Sequence, residues 1–180
     1  MSGIVPIDGK MKPTYILVLA DTHVSTLSQL PRRLTELVRE VDRVVHCGDF
    51  TGIRVLEELR SLAKDFVGVY GNTDPPEIRQ QLPAEATFEV HGKRIAVFHP
   101  YWGGSPRGIE DEMVARYPDA HVILFGHTHD PLVETRNGIL LLNPGQSYPT
   151  FITQAQVGIL KVTPEEVTAR LFSLDNAELF

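Results

Sequence analysis

The sequence predicts an α/β fold, a four-layer α/β/β/α sandwich in which two mixed β-sheets pack face to face and are flanked by helices. In the first half of the chain, buried apolar runs alternate with segments of helical periodicity, which is typical of parallel strands joined by helices. The second half instead carries hairpin signals and a terminal pair of strands. The 180 residues contain no internal repeat or linker, so they suit one domain.

The first half has the pattern strand, helix, strand, helix, strand. Residues 15–20 form a continuous apolar run, as expected of a strand that is buried on both faces, and shorter strands are predicted at 43–46 and 66–70. Apolar residues recur at helical spacing in 34–41 and in 52–63, which predicts two helices. Strands separated by helices in this way favour a parallel layer.

The second half is expected to contain antiparallel pairs. One hairpin is predicted over 87–99 with its turn at 91–92, and another turns at 137–138, where Asn-Gly is a strong two-residue turn signal. Between them we expect a loop rich in glycine and proline at 100–108 and a short helix at 109–117. Further strands are predicted at 121–126, 157–162 and 167–174.

Composition excludes several classes of function. The net charge of -6, without a basic patch, opposes binding to duplex nucleic acid. Cys47 is the single cysteine, so an intrachain disulfide is excluded, and the apolar run at 15–20 is too short for a membrane span. We therefore expect a soluble, cytoplasmic protein with a loose N-terminal extension at 1–13 and one domain at 14–180. The apolar C-terminal pair 179–180 would suit a homo-oligomer.

Polar residues follow the predicted strands in five short motifs: Asp-Thr-His, Gly-Asp, Gly-Asn, a histidine at a strand end, and Gly-His-Thr-His. Because ligands of α/β sheets bind beyond the carboxyl ends of strands, residues far apart in sequence can converge on one crevice. The candidate metal ligands are Asp21, His23, Asp49, Asn72, His99, His127 and His129. A single such motif is more often an ordinary turn or helix cap, so the prediction rests on the whole set.

The donor types indicate which metals the site would hold. Two aspartates, four histidines and one asparagine suit Mn, Fe, Zn, Co or Ni better than Cu(I) or an iron–sulfur cluster. Four imidazoles argue against calcium. Seven donors are too many for one tetrahedral ion that keeps a water, but they divide between two ions if one carboxylate bridges. The two metal ions of such a site lie roughly 3.5–4 Å apart and stabilise both the attacking and the leaving oxygen of a phosphoryl displacement.

In this order, the five motifs resemble those of the calcineurin-like metallophosphoesterases, and in particular the small single-domain phosphodiesterase branch of bacteria and archaea. The resemblance runs from about 15 to 174. It implies that a hydroxide bridging two divalent metals, with Mn the first choice, hydrolyses a small phosphodiester. It also implies one metal at Asp21, His23, Asp49 and His129, and a second at Asp49, Asn72, His99 and His127.

The candidate catalytic residues are Asn72 and Asp74. The amide of Asn72 could donate to a phosphate oxygen, whereas Asp74 suits a turn, a partner of a ligand or a catalytic aid equally well. Thr73 stands where many family members have a histidine that acts as general acid, which is worth roughly 10²–10⁴ in rate. We therefore expect good leaving groups to be favoured. Pro100 and Gln146 replace the Gly and Ser usual in the branch, which predicts a differently shaped pocket.

Two alternatives to the phosphodiesterase stay open. The first is a non-catalytic interaction scaffold, as in the retromer small subunit of eukaryotes, which resembles this family. There, the residues matching Asp49 and Asn72 are replaced, so their presence here favours catalysis. The second is a phosphomonoesterase or protein phosphatase, which Thr73 makes the weaker alternative. His46 is interpreted as structural, and Trp102 either as cover for the core, which is favoured, or as part of a substrate entrance.

Overall fold

The computed structural model describes residues 11–105 and 107–175, and the elements below are those of this part of the chain. The helices are α1 (Arg32–Glu40), α2 (Ile53–Leu62), α3 (Pro76–Arg79) and α4 (Ile109–Arg116). The strands are β1 (Thr14–Leu19), β2 (Arg43–His46), β3 (Phe66–Gly68), β4 (Glu85–Val90), β5 (Lys93–Phe98), β6 (Val122–Phe125), β7 (Leu132–Arg136), β8 (Ile139–Asn143), β9 (Gln156–Val162) and β10 (Val167–Ser173). Residues 1–10 and 176–180 lie outside the description, so the expected N-terminal extension stays a prediction.

The described strands form two five-stranded mixed sheets, in the orders β10-β9-β1-β2-β3 and β4-β5-β6-β8-β7. In the first sheet β1, β2 and β3 are parallel, and β9 runs antiparallel to β1. In the second sheet β5, β6 and β8 are parallel, while β4 and β7 are antiparallel to their neighbours. The parallel strands thus run from the middle to one edge of the first sheet and form the centre of the second, and loops leave from their carboxyl ends.

The core has three apolar layers. Alternate residues of β1 divide between two of them, because successive side chains of a strand point to opposite faces. Ile16 and Val18 lie in the layer between the sheets, whereas Leu17 and Leu19 lie in the layer that includes residues of α1 and α2. A third layer joins α4, through Met113, to the other face of the second sheet. This is the α/β/β/α sandwich that the sequence predicts.

The turns of both predicted hairpins lie where the sequence places them. His91 and Gly92 have φ values of 49° and 75°, and Asn137 and Gly138 have φ values of 51° and 82°. Two successive residues of positive φ suit the right-handed twist of a tight hairpin. No helix in the described part of the chain is long and apolar enough to cross a membrane.

Candidate metal centre

The loops that follow β1 and β2 are hydrogen-bonded to each other at the carboxyl edge of the first sheet. The amide of Asp21 donates to the carbonyl of Gly48 at 3.0 Å, and the amide of His23 donates to that of Asp49 at 3.2 Å. The second sheet joins them, since the amide of His127 donates to Oδ2 of Asp21 at 3.0 Å. The structure thus brings the candidate ligands of both sheets to one place.

Five of the candidate ligands have left-handed backbone conformations. The φ values are 50° at Asp21, 45° at His23, 60° at Asp49, 86° at His127 and 59° at His129. Residues other than glycine adopt this region rarely, and such backbone strain clusters at functional sites, where the surrounding structure enforces it. The conformation of these loops therefore indicates a site selected for side-chain placement.

The first cluster consists of Asp21, His23 and His129, whose potential ligand atoms all lie within 4.8 Å of one another. Nε2 of His129 is 3.4 Å from Oδ1 of Asp21, and Nε2 of His23 is 3.9 Å from the same oxygen. Atoms that share a tetrahedral ion with bonds of about 2.1 Å are separated by roughly 3.4 Å. The spacing of this cluster therefore fits one shared cation.

The two imidazoles of this cluster have different electrostatic surroundings. Burial lowers the pKa of His23, although the carboxylates of Asp49 and Asp21 oppose this, and Nε2 of His23 is a buried atom without a hydrogen-bond partner among the described residues. A hydrogen bond with Asp21 raises the pKa of His129. A buried polar atom without a partner is destabilising, and a bound cation would satisfy Nε2 of His23.

The second cluster consists of Asn72, His99 and His127. Oδ1 of Asn72 is 3.0 Å from Nε2 of His99 and 3.0 Å from Nδ1 of His127. The other nitrogen of each ring faces a backbone carbonyl oxygen: Nδ1 of His99 faces that of Cys47 at 2.7 Å, and Nε2 of His127 faces that of Gly104 at 3.3 Å. When each ring donates to its carbonyl, the lone pairs of both imidazoles and of Oδ1 of Asn72 converge on one point, as three ligands of one cation do.

Asp49 lies between the two clusters. Its Oδ2 is 3.6 Å from Nε2 of His23 and 3.5 Å from Nε2 of His99, and its Oδ1 accepts the amide of Thr73 at 2.9 Å. Asp21 is also close to both clusters, because it forms a second potential ligand group with Asp49 and His99. These positions suit the bridging carboxylate that seven donors for two ions require.

Two glycines allow the carboxylates to approach the backbone. A Cβ on Gly71 would lie 2.1 Å from Oδ1 of Asp49, and a Cβ on Gly126 would lie 2.9 Å from Oδ2 of Asp21. Real Cβ atoms are not found this close to their neighbours, so a larger residue would displace a candidate ligand. The donor types, their spacing and this close packing together fit a pair of divalent ions.

Asp74 connects the loops that follow β2 and β3 through hydrogen bonds to their backbone. Its carboxylate accepts the amides of Asp49 at 3.0 Å, Thr51 at 2.8 Å and Gly71 at 2.8 Å. Burial raises the pKa of Asp74, while these hydrogen bonds oppose the increase. The contacts give Asp74 a positioning role, and its participation in catalysis stays a prediction.

Arg79 and Tyr148 contact the site but are not among the candidates that the sequence predicts. Nε of Arg79 donates to the carbonyl of Asp74 at 2.7 Å, and its terminal nitrogen donates to those of Asn72 at 2.8 Å and Gly71 at 3.3 Å. The sequence carried no signal for these contacts, because α3 itself was not predicted. The ring of Tyr148 lies 5.6 Å from that of His23, and no pattern in the sequence indicates this contact.

The last residue of β8 and the loop that follows it contact the Gly-His-Thr-His motif. Nδ2 of Asn143 donates to Oγ1 of Thr128 at 2.8 Å. Gln146, one of the departures from the branch, donates through Nε2 to the carbonyl of Tyr148 at 2.9 Å, and its hydrogen bond with His129 contributes to the raised pKa of that ring. The side chain of Gln146 thus connects a candidate ligand to the chain that follows it.

Comparisons with known proteins find a matching family model and relatives named as phosphoesterases. Residues 15–165 match the family model described as calcineurin-like phosphoesterase superfamily domain. A probable metallophosphoesterase of Methanocaldococcus jannaschii is 32% identical over 165 residues, which cover 88% of this chain and 80% of that protein. A phosphodiesterase of the same organism is 24% identical, over 83% of this chain and 93% of its own length.

The fold is also that of solved structures. The vacuolar protein sorting 29 protein of Cryptosporidium parvum superposes with a TM-score of 0.71 at 20% identity, over 89% of this chain and 98% of that one. At this level of identity the likeness concerns the fold alone. The two sheets and their helices are therefore an arrangement that other proteins share.

Proposed function

The chain belongs to the calcineurin-like phosphoesterase superfamily, and from this premise we propose that it is a metal-dependent phosphodiesterase that hydrolyses a small phosphodiester. The observation that carries the proposal is the convergence of Nε2 of His99 and Nδ1 of His127 on Oδ1 of Asn72, each at 3.0 Å. With the opposite nitrogen of each ring donating to a backbone carbonyl, all three atoms offer lone pairs, as the ligands of a metal ion do.

We assign two divalent ions to the site. One set of ligands is Asp21, His23, Asp49 and His129, and the other is Asp49, Asn72, His99 and His127. When bound, such an ion pair supplies a hydroxide nucleophile at neutral pH and positive charge for the phosphoryl oxygens. Mn is our first choice, and Ni, Co, Fe and Zn suit the same nitrogen and oxygen donors.

The chain's own residues orient the substrate. Because Oδ1 of Asn72 faces the imidazoles of His99 and His127, its Nδ2 is left to donate to a phosphoryl oxygen. Thr73 contributes its backbone amide to Asp49 and offers no imidazole to protonate a leaving group. We therefore propose that esters with acidic leaving groups, which depart as stable anions, react fastest.

The scaffold alternative is supported by the fold of the vacuolar protein sorting 29 protein, which this chain shares. The side chains oppose it. Asp49 lies between His23 and His99 at 3.6 Å and 3.5 Å, an arrangement that an interaction surface does not require. A phosphomonoesterase is the other alternative, and only a comparison of substrates separates it from a diesterase. Cytoplasmic location and homo-oligomer formation stay predictions.

The test is hydrolysis of bis-p-nitrophenyl phosphate by metal-stripped protein before and after addition of Mn²⁺, beside the monoester p-nitrophenyl phosphate. We expect Mn²⁺ to restore diester hydrolysis, and Asp49→Asn and His127→Ala to lower it at least ~100-fold, because loss of the partner of a ligand alone costs about 10–100-fold. His121→Ala is the matched control, since His121 precedes β6, at the opposite end of that strand from His127. A folded protein that is inactive with Mn²⁺, Ni²⁺, Co²⁺ and Zn²⁺ would favour the scaffold.

A further inference from the structure

Trp102 is a half-exposed aromatic residue in the loop that follows β5. It is the single tryptophan of the chain, and its relative exposure is 50%. Phe98, in the same part of the molecule, is fully buried. The sequence favours a core-covering role for Trp102, but a residue with half of its surface in water covers the core only in part. The structure therefore leaves a large aromatic surface open to a ligand.

Two neighbouring rings hold the indole in place. The ring of Trp102 lies 5.7 Å from that of Phe98 and 5.0 Å from that of Tyr101, the latter in an edge-on arrangement at 82°. Tyr101 in turn lies edge-on to Tyr70 at 5.7 Å. Offset and edge-on contacts of this kind stabilise aromatic pairs, so Trp102 is preorganised although it is exposed.

The residues directly after Trp102 touch the metal centre. A Cβ on Gly103 would lie 3.8 Å from Nδ2 of Asn72, and the carbonyl of Gly104 accepts from Nε2 of His127 at 3.3 Å. The turn is closed by a hydrogen bond from the amide of Gly103 to the carbonyl of Pro100 at 2.8 Å. A Cβ on Gly104 would also lie 3.8 Å from Cδ1 and from Nε1 of Trp102. One edge of the indole therefore lies against the residue whose carbonyl faces His127.

We propose that Trp102 is a specificity-determining residue, which stacks on a planar aromatic group of the substrate, as a nucleobase is. The inference rests on the proposed function, because it concerns the organic part of the phosphate ester whose phosphoryl group lies at Asn72. Stacking of a base on an aromatic side chain strengthens binding roughly 5- to 150-fold. The chain thus takes nucleotide-like esters in preference to esters of sugars or glycerol.

The first measurement uses the single tryptophan as its own probe. Mn²⁺-loaded protein is titrated with 5′-AMP, ribose 5-phosphate and inorganic phosphate, and the fluorescence of Trp102 is recorded. We expect 5′-AMP to quench it saturably, and calorimetry to show that 5′-AMP binds at least ~5-fold more tightly than ribose 5-phosphate. Equal affinity for these two esters would overturn the inference.

Variants separate stacking from other effects. Calorimetry with Trp102→Leu should show equal affinity for the two esters, whereas Trp102→Phe should keep much of the preference because it keeps a ring. Phe151→Leu is the matched control, since Phe151 is a fully exposed aromatic residue of another loop. A preference that survives Trp102→Leu, or that disappears in Phe151→Leu, would contradict the assignment.

The two proposals fail in different ways. Protein that hydrolyses bis-p-nitrophenyl phosphate and binds inorganic phosphate, yet does not distinguish 5′-AMP from ribose 5-phosphate, would refute only the aromatic subsite. Protein that binds no phosphate compound in the presence of Mn²⁺ and hydrolyses no diester would refute both. An exposed tryptophan without either activity would then suit a protein partner instead.

Discussion

At the scale of the residue, the histidines show how surroundings determine the role of one side chain. His46 is fully buried, stacks on Phe50 with ring centres 3.6 Å apart, and accepts the amide of Gly48 through Nδ1 at 3.2 Å. Its Nε2 must then donate to Oγ1 of Thr22, 3.1 Å away. The ring is thus neutral and satisfied, as the structural interpretation predicts, and burial lowers its pKa well below the usual value.

We expect His46 to lower the free energy of unfolding at acidic pH. Because the pKa of His46 is lowered in the folded chain, the unfolded chain binds a proton first, below about pH 6.5. Stability contributed by the neutral ring is fully present above that pH and is lost as the pH falls towards the folded pKa. We expect a loss of about 2 kcal/mol between pH 7.5 and pH 5, which His46→Gln should remove.

The measurement is urea unfolding of metal-free protein at both pH values, so that the candidate ligands bind no metal in either sample. Gln can donate to Thr22 and accept from Gly48, so the variant keeps the two hydrogen bonds of His46 without its titration. His121→Gln serves as the control, because His121 is exposed. Identical pH dependence in wild type and His46→Gln would refute the explanation.

At the scale of the element, the short helix α3 fixes the loop that holds Asn72. Its last residue, Arg79, donates to the carbonyls of Gly71, Asn72 and Asp74, and its guanidinium lies 5.1 Å from the centre of the Tyr70 ring. A planar guanidinium makes several directed hydrogen bonds at once, which an ammonium group cannot reproduce. The helix therefore positions one candidate ligand without touching a metal.

Arg79→Lys should weaken one metal selectively. We expect the affinity for the ion held by Asn72 to fall about 10–100-fold, as for other partners of ligands, while the ion held by His23 and His129 binds as before. Calorimetry with Mn²⁺ would show one weakened and one unchanged binding step. Arg60→Lys is the matched control, because Arg60 also donates to a backbone carbonyl, that of Gln81. Equal weakening of both steps, or the same effect in Arg60→Lys, would contradict the role of Arg79.

Most elements could be predicted because their signals are local. The period of 3.6 in α1 and α2, and the Asn-Gly turn between β7 and β8, need only neighbouring residues. The helix α3 was not predicted, because a helix of four residues that begins at the second of two prolines is too short to show a periodicity. The contacts of Arg79 and Tyr148 were not predicted either. They depend on how separate loops meet in space, and the spacing of residues in the sequence does not give the distance between two loops.

At the scale of the whole molecule, the candidate metal centre concentrates buried charge in the fold that carries it. Asp21, Asp49 and Asp74 are carboxylates with at most 4% exposure, in a chain whose net charge is already -6. Buried like charges and imidazole lone pairs that face oxygen atoms are unfavourable without a cation. The sandwich tolerates this arrangement because apolar layers on both sides of each sheet stabilise the strands that end there.

Asp49→Asn should therefore stabilise the metal-free chain and remove most of the stabilisation that metal gives. Asparagine at position 49 removes one buried charge and can direct N–H groups at the imidazoles of His23 and His99, which now face Oδ2 at 3.6 Å and 3.5 Å. Without metal, we expect thermal unfolding of Asp49→Asn to begin a few degrees above wild type, since 1 kcal/mol shifts the midpoint by about 2–4 °C in a domain of this size.

Metal should reverse that order. Because Mn²⁺ binds the folded chain, a concentration of 100 times Kd stabilises wild type by about 2.7 kcal/mol per ion, or roughly 5–11 °C, and Asp49→Asn should gain little. Asp119→Asn is the control, because it removes the same formal charge from an exposed position. Scanning calorimetry with and without Mn²⁺ measures all three proteins. If Asp49→Asn unfolds at a lower temperature than wild type both with and without Mn²⁺, Asp49 stabilises the fold by itself. If the variant is the more stable protein without Mn²⁺ and the less stable one with it, the charge of Asp49 serves metal binding at a cost to the metal-free fold.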